Sequence, residues 1–138
     1  MSFDPATDYP LGVHRPDLVT TPSGVPLAEV TIERLRAGSL DANDIRATPE
    51  TLRRQAAVAA AAGRPQLAEN LERAAELAGV PPDVLLEIYT ALRPRRSSVA
   101  ELRGWAERLE QEYNAPRAAA FVREAAAVGA LRGLLADD

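Results

Sequence analysis

The spacing of the prolines constrains this chain most, because proline lacks an amide hydrogen and suits a helix start but not a helix interior. The 138 residues include 11 prolines. Five of them fall within the first 26 residues: Pro5, Pro10, Pro16, Pro22 and Pro26. Later prolines open segments with helical spacing of apolar residues: Pro49, Pro65, Pro82 and Pro116. The sequence therefore predicts an all-α fold, with an extended N-terminal arm over residues 1–26 and one small domain of about five helices over residues 27–138.

Capping residues and glycines mark the ends of the predicted helices. Gly38 suits the left-handed position after a short helix over 27–37. Thr48 can cap the helix that begins at Pro49, and Ser98 and Glu101 have the spacing of a capping box. These signals place helix starts near 49, 65, 82, 99 and 116.

Two of the predicted helices carry clear apolar stripes. The stripe after Ser98 contains Leu102, Trp105, Ala106, Leu109 and Tyr113. The stripe after Pro82 contains Leu85, Ile88, Tyr89 and Leu92. For Trp105 and Tyr113 this position favours core packing over a role as a ligand platform.

Composition excludes several classes of function. The net charge of −4 and the pI of about 5.1 argue against a nucleic-acid binder. There is no cysteine, so disulfides and thiolate chemistry are excluded. No apolar run approaches the roughly 20 residues of a membrane span, and the N-terminus has no signal-peptide pattern. We expect a cytoplasmic protein without membrane contact.

The side chains that could carry chemistry form no recognisable site. His14 is the one histidine, and without carboxylate or thiolate companions it is expected to be an exposed loop residue. Glu69, Glu72 and Glu76 lie on one side of a helix, where a solvated face is favoured over a metal or acid–base site. We therefore predict no catalytic, cofactor-binding or metal-ligating residue on this chain.

Two segments are candidates for contact with a partner protein. The arm is apolar enough to need a covering surface, either its own or another chain's. The arginines around Pro94 can dock a carboxylate or phosphate, although a partner-chain contact or plain solvation is favoured. The partner-interface candidates are Tyr9, Pro10, Leu11, Arg93 and Arg96.

A series of short blocks, in order along the chain, resembles one known family. The blocks are Asp8-Tyr9-Pro10-Leu11, Thr31-Ile32-Glu33, Asp44-Ile45-Arg46, Thr48-Pro49-Glu50-Thr51-Leu52-Arg53 with Gln55-Ala56, Glu72-Arg73-Ala74-Ala75-Glu76-Leu77, Glu87-Ile88-Tyr89 with Ala91-Leu92-Arg93-Pro94 and Arg96-Ser97, and Ala119-Ala120-Phe121-Val122-Arg123-Glu124-Ala125-Ala126. Together they resemble the small (gamma) subunit of adenosylcobalamin-dependent diol and glycerol dehydratases, and they span most of the chain.

The resemblance implies an accessory subunit of a lyase. Its partners would be large and medium dehydratase subunits, in a dimer of heterotrimers. In that family the large subunit holds the substrate and the catalytic residues, and adenosylcobalamin lies between the large and medium subunits. The enzyme dehydrates propane-1,2-diol or glycerol to an aldehyde by a radical route. The resemblance implies no catalytic or cofactor-binding residue on this chain.

Some alternatives stay open at this point. A stand-alone helical adaptor or regulator that shares the fold is the second hypothesis, and an independent small enzyme is disfavoured by the missing constellation. The chain begins seven residues before Asp8, without the longer N-terminal extension that some family members carry for solubility and microcompartment packaging. Microcompartment association, and the preference between diol and glycerol, are therefore left open.

Overall fold

A computed structural model describes residues 3–137, and in them the chain is helical. Their α-helices are α1 Leu11–His14, α2 Ile32–Arg36, α3 Pro49–Ala61, α4 Pro65–Leu77, α5 Pro82–Ala91, α6 Val99–Gln111 and α7 Pro116–Leu131. Within the same residues there is no named strand, and the one β-bridge pairs Thr20 with Pro26. The predicted all-α class is confirmed, and the five longer helices, α3 to α7, begin where the proline and capping signals place them.

The described residues divide into two compact units, one ending at Ala75 and the other beginning at Glu76, within the last turn of α4. The first unit contains the N-terminal segment, α2, α3 and most of α4. The second contains α5, α6, α7 and the C-terminal tail. The boundary predicted at residue 26, between an arm and a helical domain, stays a prediction.

The N-terminal segment is less extended than its prolines indicated. Leu11–His14 forms a single α-helical turn, and Pro16–Leu18 forms a 3₁₀ turn. Pro10 lies immediately before the first turn and Pro16 is the first residue of the second. At a helix start the missing amide hydrogen has no intrahelical partner to lose, so these prolines permit short turns while they prevent a long helix.

The helix predicted over residues 27–37 is interrupted. A 3₁₀ turn occupies Leu27–Glu29, and α2 begins only at Ile32. Thr31 has an extended backbone, and its side chain accepts a hydrogen bond from the amide of Arg34. Thr31 therefore acts as the N-cap of a new helix inside the predicted span.

The longer helices have the predicted ends. The Thr48 side chain accepts from the amide of Thr51 at the start of α3. Ser98 and Glu101 form the complete capping box of α6. Gly38 and Gly63 both have φ of +71°, the left-handed conformation that follows a helix end and that glycine adopts without strain.

The hydrophobic core of the second unit lies around α6 and α7. Leu102 and Leu109 are its largest fully buried side chains. The predicted stripe of α6 is confirmed, since Trp105 and Tyr113 also pack against this core while partly exposed. Opposite α6, α7 contributes mainly small buried residues: Ala118, Ala119, Val122 and Ala126. Side chains this small let two helices approach closely, but each buries little apolar area.

The C-terminal tail returns to the second unit after α7. The carbonyl of Leu134 accepts from the amide of Arg95 at 2.7 Å, and the amide of Ala136 donates to the carbonyl of Ser97 at 3.0 Å. Between them, Leu135 packs against Gly129, where an added Cβ would lie 2.7 Å from Leu135 Cδ2. The glycine in α7 thus makes room for the tail, at a cost in helix propensity of about 1 kcal/mol.

Candidate partner interface

The side chains with catalytic potential remain separate in the structure. Among residues 3–137, no three His, Asp or Glu side chains lie close enough together to hold a metal ion. His14 is exposed, as predicted, but it is the last residue of α1 and not a loop residue.

The acidic row on α4 was predicted to be a solvated face, but one of its residues has a structural role. Glu69 is exposed, as a solvated face predicts, but the side chain of Glu76 is only 10% exposed. Its carboxylate accepts hydrogen bonds from the backbone amides of Arg117 at 3.1 Å and Ala118 at 2.8 Å. The prediction is wrong for Glu76, because α7 begins without a capping side chain of its own and this carboxylate supplies the missing acceptor.

An apolar groove of about 560 Å³ runs along the first unit. One side is formed by the N-terminal segment and the other by α3 and the first half of α4. Its lining includes Tyr9, Leu11, Val19, Val58, Leu67 and Leu71. The structure thus brings two predicted interface residues, Tyr9 and Leu11, to one groove.

The three N-terminal candidates differ in exposure. Tyr9 is 60% exposed although it lines the groove, and Pro10 beside it is also exposed. Leu11 is half-buried in the wall of the groove. The segment therefore covers part of its own unit, through Leu11, and offers an aromatic ring and a proline to solvent.

Charged side chains hold the N-terminal segment in this position. Arg15 forms ion pairs with Asp8 at 3.1 Å and with Asp17 at 2.9 Å. The hydrogen bond from Arg15 lowers the pKa of Asp17 and raises the pKa of Arg15 itself. Arg54 of α3 donates to the carbonyl of Leu18 at 2.6 Å. The segment is thus braced internally by Arg15 and hydrogen-bonded to α3 by Arg54.

The arginine candidates occupy the turn between α5 and α6 in the second unit. Arg93, Arg95 and Arg96 are all exposed. Arg95 has a positive φ of 59°, a conformation that non-glycine residues adopt rarely. The turn is nevertheless fixed, because the amide of Arg96 donates to the carbonyl of Arg93 and that of Arg95 donates to Leu134.

One residue of the predicted α5 stripe, Tyr89, faces solvent and not the core. Ile88 is buried, and Leu85 and Leu92 pack against the core. Tyr89, however, is 60% exposed, and Leu86 is 67% exposed. Helix α5 therefore has a second apolar face directed at solvent. The spacing of apolar residues did not predict this face, because buried Ile88 and exposed Tyr89 are adjacent in the sequence.

The arrangement defines an all-α protein whose unusual surfaces are apolar and basic patches, without a catalytic constellation among the described residues. Within those residues, no helix is long and apolar enough to cross a membrane. The apolar and basic patches are candidate surfaces for contact with another protein.

Comparison with known proteins identifies the family. Residues 5–136 match the family described as "Dehydratase small subunit". The propanediol dehydratase small subunit of Citrobacter freundii is 51% identical over 132 residues, which cover 96% of this chain and 77% of that protein. The corresponding protein of Salmonella typhimurium is 49% identical over 132 residues, covering 96% of this chain and 76% of the relative. The chain belongs to the dehydratase small-subunit family.

Proposed function

We propose that this chain is the non-catalytic small subunit of an adenosylcobalamin-dependent hydro-lyase that dehydrates propane-1,2-diol to an aldehyde. The observation that carries the proposal is the identity of about half of all positions, over almost the whole chain, with two propanediol dehydratase small subunits. Both relatives are named for propanediol, so propane-1,2-diol is the first substrate to test and glycerol the second.

The groove of the first unit, in the part of the chain that the structure describes, does not fit a corrinoid cofactor. The groove of about 560 Å³ is in the range of pockets for drug-sized ligands, roughly 300–1,000 Å³. Adenosylcobalamin, with its corrin ring, nucleotide and adenosyl group, is much larger than such a ligand. The lining of the groove is mainly apolar, and its residues with polar side-chain groups are Tyr9, Thr51, Gln55 and Arg64. We therefore propose that other subunits bind the cofactor and supply the radical chemistry.

The role proposed for this chain is to support the large subunit. The N-terminal segment is one contact surface, with Tyr9 as its anchor, because tyrosine is enriched at the energetic centres of interfaces. Pro10 and Leu11 follow Tyr9 in the sequence and belong to the same proposed contact surface. Proline reduces the conformational freedom that a segment loses on binding, which favours a strip of this kind as a recognition element.

Co-purification tests the proposal. The chain is co-expressed with tagged large subunit and with medium subunit, and the tagged complex is isolated by affinity and gel filtration. We expect this chain in constant ratio to the large subunit. If it elutes alone while the large and medium subunits remain together, the assignment as a dehydratase subunit is wrong and the adaptor hypothesis takes its place.

A further inference from the structure

Exposed apolar side chains on α5 are followed in the sequence by positive charge. Leu86 and Tyr89 are spaced i and i+3, so they lie along one side of the helix. Arg93 follows directly after Leu92, the residue that caps the C-terminal end of α5. Leu86 and Tyr89 are 67% and 60% exposed. Arg95 and Arg96 follow in the turn at the end of the helix and are exposed as well. Two apolar groups and three guanidinium groups thus lie on α5 and the turn that follows it.

The three guanidinium groups have no acidic partner within the described residues. Two other arginines of this unit are engaged, Arg108 with Glu112 and Arg123 with Glu110. Arg103 and Arg132 also lack an ion pair among these residues, but they lie on α6 and after α7, away from this turn in the sequence. Arg93, Arg95 and Arg96 form no such pair in the part of the chain that the structure describes. They are therefore free to donate hydrogen bonds to carboxylates of another molecule.

The turn that carries these arginines is held in place before any partner arrives. The C-terminal tail fixes it through two backbone hydrogen bonds, from Arg95 to Leu134 and from Ala136 to Ser97. Thr90, next to Tyr89, donates its hydroxyl to the carbonyl of Leu86 within α5. A surface with a fixed backbone loses less conformational freedom on binding than a mobile loop.

We propose that this face, which we call the α5 face (Leu86, Tyr89, Arg93, Arg95 and Arg96), docks on a surface of the large subunit that presents carboxylates around an apolar recess. The proposal rests on the proposed function for the identity of the partner. Its chemistry comes from charge complementarity. The chain as a whole carries a net charge of −4, whereas the turn after α5 carries three unpaired arginines and no acidic residue. Guanidinium groups bind carboxylates in a two-pronged geometry, and tyrosine and arginine are enriched at interface centres.

The test compares charge-matched variants in binding to the complex of large and medium subunits. Arg93→Gln/Arg96→Gln removes two charges from the α5 face. Arg103→Gln/Arg132→Gln removes the same charge from exposed positions of the same unit. Tyr89→Ala is paired in the same way with Leu131→Ala, since Leu131 is 88% exposed. Affinity is measured by titration at about 0.05 M and about 0.5 M salt, because screening weakens charge pairs between these values.

We expect the Arg93/Arg96 variant to bind about tenfold more weakly at low salt and to lose most of the salt dependence, while the Arg103/Arg132 variant stays near wild type. Tyr89→Ala is expected to weaken binding and Leu131→Ala to leave it unchanged. Equal weakening by the two charge variants, or none by either, would overturn the assignment of the α5 face.

Two further outcomes separate this inference from the proposed function. If wild-type chain fails to bind the large and medium subunits at all, the proposed function fails. If wild type binds and the α5 variants bind equally well, only the α5 inference fails. Sedimentation of the free chain tests whether a second copy of this chain occupies the α5 face. Self-association that the Arg93/Arg96 variant abolishes would overturn the large subunit as the partner of this face.

Discussion

The carboxylate of Glu76 caps helix α7 from the end of α4. It accepts a hydrogen bond from the amide of Ala118 at 2.8 Å, and a second from Arg117 at 3.1 Å. Helix α7 has no capping side chain of its own, since Ala115 occupies its N-cap position. A carboxylate at a helix N-terminus also interacts favourably with the helix dipole. The start of the longest helix therefore depends on a residue about forty positions earlier.

Removing this carboxylate should destabilise the fold. We predict that Glu76→Ala lowers the free energy of unfolding by about 0.5–2 kcal/mol, the range for loss of an N-cap. Exposed Glu69 on the same helix is the matched control, and Glu69→Ala should change stability by less than about 0.5 kcal/mol. Urea unfolding followed by circular dichroism measures both. Equal effects would show that the hydrogen bonds of Glu76 do not cap α7.

The α6 stripe should behave as core. Leu109 is 1% exposed, and Leu109→Ala is predicted to cost roughly 2–5 kcal/mol, the range for truncation of a buried leucine. Exposed Leu131→Ala serves as the control. The same unfolding experiment decides the question, and a loss below about 0.5 kcal/mol for Leu109→Ala, the usual surface value, would contradict its place in the core.

The two units should differ in protection of their backbone amides. In the described part of the first unit the buried apolar residues are Leu40, Ala56, Ala59 and Ala75, of which only one is large. The second unit contains a connected cluster that includes Leu102, Leu109 and Ile88. We expect hydrogen exchange in the free chain to be at least about tenfold slower in α6 and α7 than in α1 and α2, because exchange follows local stability. Uniform protection along the chain would disprove this.

The N-terminal segment should matter more for assembly than for the stability of the free chain. Tyr9→Ala removes a ring that is 60% exposed, so unfolding of the free chain should change by less than about 0.5 kcal/mol. Co-purification with the large subunit should weaken. Val13→Ala is the control, since Val13 is 72% exposed in the same segment and does not line the groove. Normal assembly of Tyr9→Ala would rule out Tyr9 as an anchor.

The helix ends were predictable from the sequence because the responsible interactions are local. Thr48 caps through Thr51, and Ser98 pairs with Glu101, each three residues away. Such contacts depend only on short-range geometry, and so the starts of α3 and α6 were predicted correctly.

The missed features depend on contacts between residues far apart in sequence. Glu76 meets Ala118 across 42 residues, and Arg54 meets the carbonyl of Leu18 across 36. Tyr89 lies next to buried Ile88, and apolar spacing alone did not decide which of the two faces solvent. The prediction that this chain has no catalytic constellation came from its residues and their spacing. The predicted partners and reaction came from the family resemblance, because neither composition nor spacing indicates them.

Reconstitution of activity shows whether this chain is an accessory subunit of a propanediol dehydratase. Purified large and medium subunits are supplied with adenosylcobalamin and propane-1,2-diol, and aldehyde formation is measured with and without this chain, and with this chain alone. We predict no aldehyde and no retained cobalamin for the isolated chain, and full activity only when all three subunits are present. Turnover by the isolated chain, or full activity of the large and medium subunits without it, would show that this chain is not an accessory subunit of the enzyme.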